Sequence, residues 1–224
     1  MIGRLEAVCV SGPRPIRLPR VGDTTSGIDK RPVAGRVAVH RLGLDGDVQV
    51  NRKYHGGEGQ ALYAYAQEDA DWWAAEVDQD LPAGRFGENL RTSGVDLTGA
   101  VLGERWRIGA VLVEVTAPRT PCAKLRAHWG VPRLIKRFTE HGASGAYLRV
   151  LETGDLGAGD PIEVVERPDH GVTIGLAFRV FTTERHRLAE LAPARDVLPE
   201  RNRPTIDAAV AERSGDSISA ELGS

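Results

Sequence analysis

The sequence predicts a mainly β fold with additional helices, an α+β class, and two observations indicate it. Residues 1–166 carry short valine-rich segments separated by glycine and proline, which is typical of a β sandwich or barrel. After RPDHG (167–171) the chain changes to longer segments that mix apolar residues with many charges, which indicates helices. We therefore predict two domains, a β-rich body over residues 1–166 and a small helical extension over residues 170–224.

The predicted strands follow one another along the body, and each is a short apolar or alternating segment close to a turn residue. They are EAVCV (6–10), GRVAVH (35–40), QALYAY (60–65), ENLRT (88–92), RWRIGAVLVEV (105–115), AYLRVLE (146–152) and PIEVVE (161–166). Gly109 divides RWRIGAVLVEV, so this segment is expected to form a hairpin.

Two helices interrupt the strands, and further helices follow them. QEDADWWAAEV (67–77) opens with acidic residues, which suit a helix N-terminus. VPRLIKRFTEHG (131–142) has proline near its start and glycine after its last turn. In the extension, Thr183 and Glu184 are expected to start a helix that runs through Leu191, and RPTIDAAVAERSG (203–215) is expected to form another.

Composition excludes several classes of protein. The chain has 224 residues, of which 41% are hydrophobic and 27% charged, enough for a sizeable core. A net charge of -2 argues against nucleic acid as a partner. No apolar run is long enough to cross a membrane, and MIGRLEAVCV lacks the features of a secretory signal. We therefore expect a cytoplasmic protein in which Cys9 and Cys122 stay thiols, with Cys9 buried in its strand.

Cys122 lies in an unusual context, APRTPCAKL (117–125). A thiolate needs nearby positive charge to be abundant at neutral pH, and Arg119 and Lys124 are close enough in sequence to supply it. Pro118 and Pro121 restrict the backbone around the cysteine. The alternative interpretation is a turn after a strand, with both cations facing water.

Three further motifs contain groups suited to binding an anion. In YHGGEGQ (54–60), His55 precedes two glycines whose N–H groups can approach a ligand closely. GRFGENL (84–90) places Asn89 in a glycine-bounded loop, and SGIDKRPV (26–33) places Lys30 and Arg31 before a strand. Each motif is weak evidence by itself, and for YHGGEGQ alone a tight turn with a solvent-facing histidine is the favoured interpretation. Asp45 and Asp47 in GLDGDVQV (43–50) resemble part of a calcium loop, but the remaining acidic ligands are absent.

Taken in order, SGIDKRPV, GLDGDVQ, HGG, FGENL and APRTPCAKL resemble the motifs of the MOSC domain. This domain occurs at the C-terminus of molybdenum cofactor sulfurases, in the mitochondrial amidoxime-reducing components and in free-standing bacterial proteins. The resemblance covers roughly residues 1–166, and the order of five motifs makes it specific. The helices after residue 170 resemble the extension of the bacterial YiiM-type branch.

The resemblance implies a β-barrel body that binds a molybdenum cofactor of the molybdopterin type. Cys122 matches the family's cysteine and is the expected molybdenum ligand and catalytic residue. The cofactor carries a phosphate, so cations and glycine backbones should surround it. The candidates for binding the cofactor are Lys30, His55, Gly56, Gly57, Asn89, Arg119 and Lys124.

Two departures from the family pattern leave the substrate open. Glu58, Gly59 and Gln60 follow HGG, where the family often has an Asp–Lys pair, and Asn51 stands where the family has an aspartate. Both changes remove charge near the expected site.

The leading hypothesis is a molybdenum-dependent reductase of small N-hydroxylated compounds, such as hydroxylaminopurines or amidoximes. The sequence contains no flavin, haem or iron–sulfur motif, so electrons would come from a separate reductase. The first alternative is a sulfur-carrier or cofactor-handling protein in which Cys122 carries a persulfide or holds the cofactor. The second alternative is a barrel that binds an anionic ligand without catalysing a reaction.

Overall fold

The structure, a computed structural model, describes residues 2–19, 21–50 and 56–222, with side chains through residue 214. Within these ranges the strands are β1 (Ile2–Val10), β2 (Arg14–Leu18), β3 (Gly22–Ser26), β4 (Arg31–Pro32), β5 (Arg36–His40), β6 (Gly43–Leu44), β7 (Leu62–Ala66), β8 (Leu90–Ser93), β9 (Arg105–Ile108), β10 (Val111–Pro118), β11 (Ala146–Glu152), β12 (Gly154–Gly157) and β13 (Pro161–Glu166). The α-helices are α1 (Gln67–Val77), α2 (Ala123–Trp129), α3 (Leu134–His141), α4 (Ile174–Thr182) and α5 (Arg203–Leu222). Short 3-10 helices span Glu58–Gln60, Arg185–Ala194 and Glu200–Asn202.

A mixed β-barrel forms the body. Among the described residues, seven strands close it in the order β13-β9-β10-β11-β7-β8-β1, with β1 paired back to β13. The β7–β8 pair is parallel, and the other neighbours in the barrel are antiparallel. Closure pairs both edges of each barrel strand, which removes the open edges of a sheet. The barrel and the helices that follow it confirm the predicted α+β fold.

Most predicted elements occur where the sequence indicated. β9 and β10 form the hairpin that turns at Gly109, which has φ +53°, and α1 covers the predicted helix. α3 begins later than the predicted start and ends at His141, followed by Gly142, whose φ of +82° allows the left-handed cap.

The helix predicted from Thr183 through Leu191 occurs as a 3-10 helix, Arg185–Ala194, with Glu184 at its N-cap. α4 begins earlier, because the Thr173 side chain accepts the N–H of Leu176 at 3.1 Å and caps it. It ends at Thr182, and residues Arg185–Ala194 continue as a 3-10 helix. Adjacent threonines are poor helix formers, and the hydroxyl of Thr182 bonds back to the Phe178 carbonyl at 2.7 Å.

Two buried clusters hold the elements together. The first fills the barrel and contains the inward-facing aliphatic residues of its strands. The second lies between β7 and α1–α3 and is mostly aromatic, with members such as Trp73, Phe86, Trp129 and Phe138. β7 (LYAYA) contributes to both clusters, because alternate residues point to opposite faces of a strand.

The C-terminal helices pack directly on the barrel. Ile174, Val180, Leu191 and Ile206 belong to the same buried cluster as the barrel strands. The two sequence patterns therefore contribute to one continuous core. The division into domains at residues 1–166 and 170–224 stays a prediction.

Candidate functional site

Tyr63 and Tyr147 form the floor of a cavity on the outer face of the barrel. They are cross-strand partners on β7 and β11, with ring centroids 5.3 Å apart. Their orientation follows from strand alternation, because Leu62 and Ala64 on either side of Tyr63 belong to the barrel core. The phenol of Tyr63 donates to the Ser144 carbonyl at 2.8 Å, which fixes the ring.

Four connections cover this floor and complete the first cavity, whose empty volume is about 680 Å³ counted out to open solvent. They are the segment after β3, the segment after β6, the loop before β8 and the connection between β10 and α2. The predicted site residues that line the cavity are Lys30, Asn89, Arg119, Cys122 and Lys124. The fold thus brings together groups from three separate motifs, and their functional roles stay predictions.

Lys30 is already paired inside the cavity wall. Its Nζ atom donates to the carboxylate of Asp47, and the two side chains are only 8% and 7% exposed. Asp47 also accepts the Ser11 backbone N–H and the Asn89 side-chain amide, both at 2.9 Å. Burial lowers the pKa of Lys30, and the Asp47 carboxylate opposes this effect. Much of the charge of Lys30 is therefore balanced by Asp47.

Asn89 joins the cavity wall to the barrel. Its side-chain oxygen accepts the N–H of Tyr63 at 3.2 Å, and its side-chain nitrogen also donates to the Cys9 carbonyl at 3.3 Å. Together with the bond to Asp47, these contacts occupy both amide hydrogens. Only the second lone pair of the oxygen remains for a ligand.

Arg119 is a buried cation held over an aromatic ring. Its guanidinium carbon lies 4.7 Å from the centre of the Tyr63 ring, and Nη1 donates to the Phe86 carbonyl. Gly87 lies next to this contact: a Cβ atom there would meet Nη1 at an ordinary 3.4 Å but would crowd Ile28 Cγ1 at 2.8 Å. Its φ of +76° also favours glycine.

The loop that contains Gly87 is held by a buried ion pair. The carboxylate of Glu88 accepts the backbone N–H groups of Gly84 at 2.8 Å and Phe86 at 2.9 Å. Arg91 donates to Glu88 through Nε at 2.9 Å and through Nη2 at 2.6 Å. Because the charge is paired and fully hydrogen-bonded, this buried pair defines the loop that supports Arg119.

Cys122 and Lys124 mark the start of α2. Cys122 precedes the helix in extended conformation, half-buried at the edge of the aromatic cluster and on the wall of the cavity. Lys124 donates to the Thr25 carbonyl at 2.9 Å, which ties α2 to β3. This contact holds the connection next to the thiol against the segment that covers the cavity.

The two cysteines have contrasting surroundings. Cys9 is fully buried in β1, as predicted, and burial raises its pKa to about 12. Cys122 is half-buried and reaches the cavity. Only Cys122 is therefore placed to meet a ligand.

Gly56 and Gly57 of the HGG motif do not line the first cavity; they line a neighbouring one. The backbone N–H of Gly56 donates to the side chain of Gln60, and that of Gly57 donates to Gln49, both at 3.0 Å. These N–H groups, expected to face an anion, are occupied by protein oxygens. His55, the remaining predicted member, lies outside the described residues. The cofactor-binding roles of all three stay predictions.

Sequence reasoning missed several residues of the site. Sequence patterns assign Asp47 only to an incomplete calcium loop and do not assign Gln49 or Gln60 to the site. All three line the cavity. The GDVQ motif was the available signal, since it already formed part of the resemblance. Among the described lining residues, three cations face one carboxylate, so the cavity favours an anion.

A model of the MOSC domain family matches residues 51–163, half of the chain. The chain belongs to the MOSC domain family. That family binds the molybdenum cofactor in general. This membership confirms the resemblance that the ordered motifs indicated.

Individual relatives agree with the family. YflK of Bacillus subtilis (strain 168), an uncharacterised protein, is 32% identical over 155 residues, which cover 69% of this chain and 70% of YflK. The crystal structure of YiiM from Geobacillus stearothermophilus has a TM-score of 0.76 and 31% identity, covering 92% of this chain and 98% of that one. The MOSC chain therefore fits the YiiM-type branch.

A longer protein also contains a related region. A protein named "Reductase" from Gibberella moniliformis (strain M3125 / FGSC 7600) is 36% identical over 151 residues, which cover 66% of this chain but 27% of that protein. This MOSC chain thus spans about a quarter of the fungal protein. Within its own described residues, no helix combines the length and apolar character needed to cross a membrane.

Proposed function

We propose that this MOSC chain is a molybdenum-cofactor-binding oxidoreductase that reduces small N-hydroxylated compounds. The observation that carries the proposal is the first cavity, which combines the half-buried Cys122 thiol with Lys30, Arg119 and Lys124. A fungal relative whose name is "Reductase" supports the redox part of the proposal.

The residues of the cavity fit a cofactor of the molybdopterin type. Cysteine thiolate is a soft ligand of the kind that metals such as molybdenum accept in proteins. The cofactor's phosphate requires charged donors, and Arg119 supplies a permanently charged guanidinium. Lys124 would contribute a second cation, whereas Lys30 would act together with its partner Asp47. The cofactor, when bound, would supply the two-electron redox chemistry.

The proposed reaction consumes two electrons and two protons. An N-hydroxylated substrate, R–NHOH, is reduced to R–NH₂, and its oxygen leaves as water. The chain would position the substrate over the thiol-bearing wall and exclude bulk water. Tyr147 keeps its proton in the neutral range because burial raises its pKa, although Arg119 opposes the effect. Its phenol can therefore donate a hydrogen bond at the cavity wall. We propose that a separate reductase supplies the electrons and that the chain works in the cytoplasm.

Metal and pterin analysis tests the proposal. The protein would be produced in cells that synthesise the cofactor, and molybdenum and pterin would be measured per chain. We expect about one of each per chain, together with electron-dependent reduction of an amidoxime or a hydroxylaminopurine. Protein from a host unable to make the cofactor provides the control.

Other results would identify the alternatives. Sulfane sulfur on Cys122 without molybdenum would identify a sulfur carrier. Molybdenum and pterin without turnover of any N-hydroxylated compound would support a cofactor-handling protein. A chain that contains neither metal nor sulfane sulfur, although its host makes the cofactor, would contradict the proposal.

A further inference from the structure

A second cavity lies between the barrel and the C-terminal segment, with an empty volume of about 1,060 Å³ counted out to open solvent. It adjoins the first cavity, because Gln60 and Tyr147 line both. Pro118 and Thr120, which also line it, lie on either side of Arg119 in the chain and close to Cys122. A molecule that occupies the second cavity can therefore extend towards the proposed reaction site.

Two arginines from the C-terminal segment give this cavity a positive wall. Arg185 and Arg201 line it, and no acidic residue is found among its described lining residues. Within the described part of the chain, the side chain of neither arginine forms a hydrogen bond or an ion pair. The positive charge of Arg201 also acts on the Tyr147 phenol, whose pKa it lowers against the larger effect of burial.

Other arginines of the same segment are neutralised. Arg187 binds Glu184 and Glu190, and Arg195 binds Asp196 and Asp207. The segment therefore has carboxylates available for pairing, but none of the described ones forms an ion pair with Arg185 or Arg201, although Glu184 and Glu200 directly precede them in the chain. Unpaired guanidinium groups on a cavity wall match the planar, bidentate recognition of phosphate or carboxylate.

The rest of the wall suits an organic molecule that carries such a group. Phe181 and Leu188 provide apolar surface, while Thr120, Asn202 and Thr205 provide hydroxyl and amide donors. The combination of an apolar surface with a few convergent polar groups is typical of a small-molecule site.

We propose that the second cavity binds an anionic group, phosphate or carboxylate, on the substrate, through Arg185 and Arg201. This inference rests on the proposed reductase function. It makes the preferred substrates N-hydroxylated compounds that also carry a phosphate or carboxylate, such as a nucleotide rather than a free base. In this role the two arginines bind and select the substrate, and they do not hold the cofactor.

Steady-state kinetics with matched substrates test the proposal. N6-hydroxyadenosine would be compared with its 5′-monophosphate, and benzamidoxime with 4-carboxybenzamidoxime, so that phosphate and carboxylate are separated. For the preferred anion, we expect kcat/KM to exceed that of the neutral compound by about 10- to 100-fold, the effect of one or two charge-assisted hydrogen bonds. Arg185→Gln/Arg201→Gln should remove this advantage and change kcat/KM for the neutral compound less than about twofold.

The control variant is Arg4→Gln/Arg133→Gln. It removes two exposed arginines that line neither cavity and have the same charge. The preference for the anionic substrate should remain in this variant. Molybdenum content should be unchanged in both variants. A fall confined to Arg185→Gln/Arg201→Gln would overturn the proposal, because the arginines would then hold the cofactor.

A binding measurement separates this inference from the proposed function. Calorimetry would compare adenosine 5′-monophosphate with adenosine on the wild-type protein and on both variants, without turnover. Tighter binding of the monophosphate that is lost only in Arg185→Gln/Arg201→Gln supports the anion site, even if no N-hydroxylated compound is reduced. If neither anionic substrate is favoured and the monophosphate binds equally to all three proteins, the inference is wrong while the reductase proposal can still hold.

Discussion

At the level of single residues, the surroundings of a side chain decide whether its role at the cavity is structural or functional. Cys9 and Cys122 have the same side chain, but one is fully buried and the other reaches the cavity. Lys30 and Arg119 are both cations, but Lys30 is paired with Asp47, whereas Arg119 binds backbone oxygen and an aromatic ring. Substitutions at these positions should therefore have different consequences.

Cys122→Ser should abolish reductase activity and reduce molybdenum content, because a hydroxyl is a poor replacement for a soft thiolate ligand. Stability should change little, since the side chain is half-buried and faces the cavity. Metal analysis, activity and urea unfolding of the purified variant measure the three effects. Full activity and full metal content in this variant would rule out the ligand role.

Cys9→Ser is the matched control and should show the reverse pattern. A hydroxyl buried at this position should lower the free energy of unfolding by about 1–3 kcal/mol. Activity per bound molybdenum should match the wild type, because Cys9 lies in β1 with its thiol buried.

Asp47→Asn should destabilise the protein by about 3–5 kcal/mol, because it leaves the buried Lys30 without its counter-charge. It also weakens the bonds from Ser11 and Asn89 to the same side chain. Chemical denaturation measures the loss. Asp45→Asn, which changes an exposed neighbour, should cost less than about 0.5 kcal/mol. Equal effects of the two substitutions would contradict the role of Asp47.

At the level of secondary-structure elements, connections rather than strands build the cavity. The barrel supplies Tyr63 and Tyr147, and the loop of Gly87 together with the start of α2 places Arg119 and Cys122 above them. The stability of these connections depends on close contacts of the backbone and on the charge of nearby side chains.

Gly87→Ala should displace Ile28, which lines the first cavity, since the added Cβ would lie 2.8 Å from Ile28 Cγ1. Gly142→Ala is the control, because Gly142 also has positive φ but open space around it. The free energy of unfolding of the control should fall only by the cost of placing alanine in the left-handed conformation, about 1–2 kcal/mol. Gly87→Ala should lose more and should also retain less molybdenum. Thermal unfolding and metal analysis of the two variants test this prediction. Equal losses of stability and of molybdenum in both variants would contradict the steric role of Gly87.

α2 should give the protein a pH-dependent stability through His128. Burial, with the nearby Arg85 charge, lowers the pKa of His128 from 6.5 to about 4, and its Nε2 atom is buried without a partner among the described residues. Between these values the unfolded chain binds a proton that the folded chain does not. Stability should therefore fall as the pH drops from about 6.5 to about 4.

His128→Gln isolates this effect, because Asp69, whose pKa burial raises to about 6, acts in the opposite direction in both proteins. The stability of the variant relative to the wild type should increase as the pH is lowered from 7 to 4.5. Urea unfolding at several pH values provides the measurement. A pH-independent difference would show that His128 does not contribute.

For the molecule as a whole, the barrel and the C-terminal helices share one buried cluster. A chain that ends at residue 168 would expose the barrel residues that Ile174, Val180 and Leu191 cover. We expect this truncated protein to unfold at a lower temperature than the full chain and to aggregate more readily. Calorimetry and size-exclusion chromatography test the expectation. A truncated protein as stable as the full chain would instead support two independent domains.

The sequence predicted the local features of this protein because they depend on neighbouring residues. Strand alternation, the hairpin at Gly109, α1 and the change of pattern after residue 171 all follow from short periodicities and turn residues. The order of the five motifs was sufficient to indicate the MOSC family, and the proximity of Cys122 to Arg119 and Lys124 is already present in nine residues.

Long-range contacts could not be predicted in this way. The partner of Lys30 lies 17 positions away, the carbonyl that binds Arg119 lies 33 positions away, and Lys124 binds a carbonyl 99 positions away. Nothing in the local pattern distinguishes Arg185 and Arg201, which line the second cavity unpaired, from Arg187 and Arg195, which are neutralised. Folding brings distant charges within a few ångströms of each other and decides which are paired, since electrostatic and hydrogen-bond energies depend on distance in space and not along the chain.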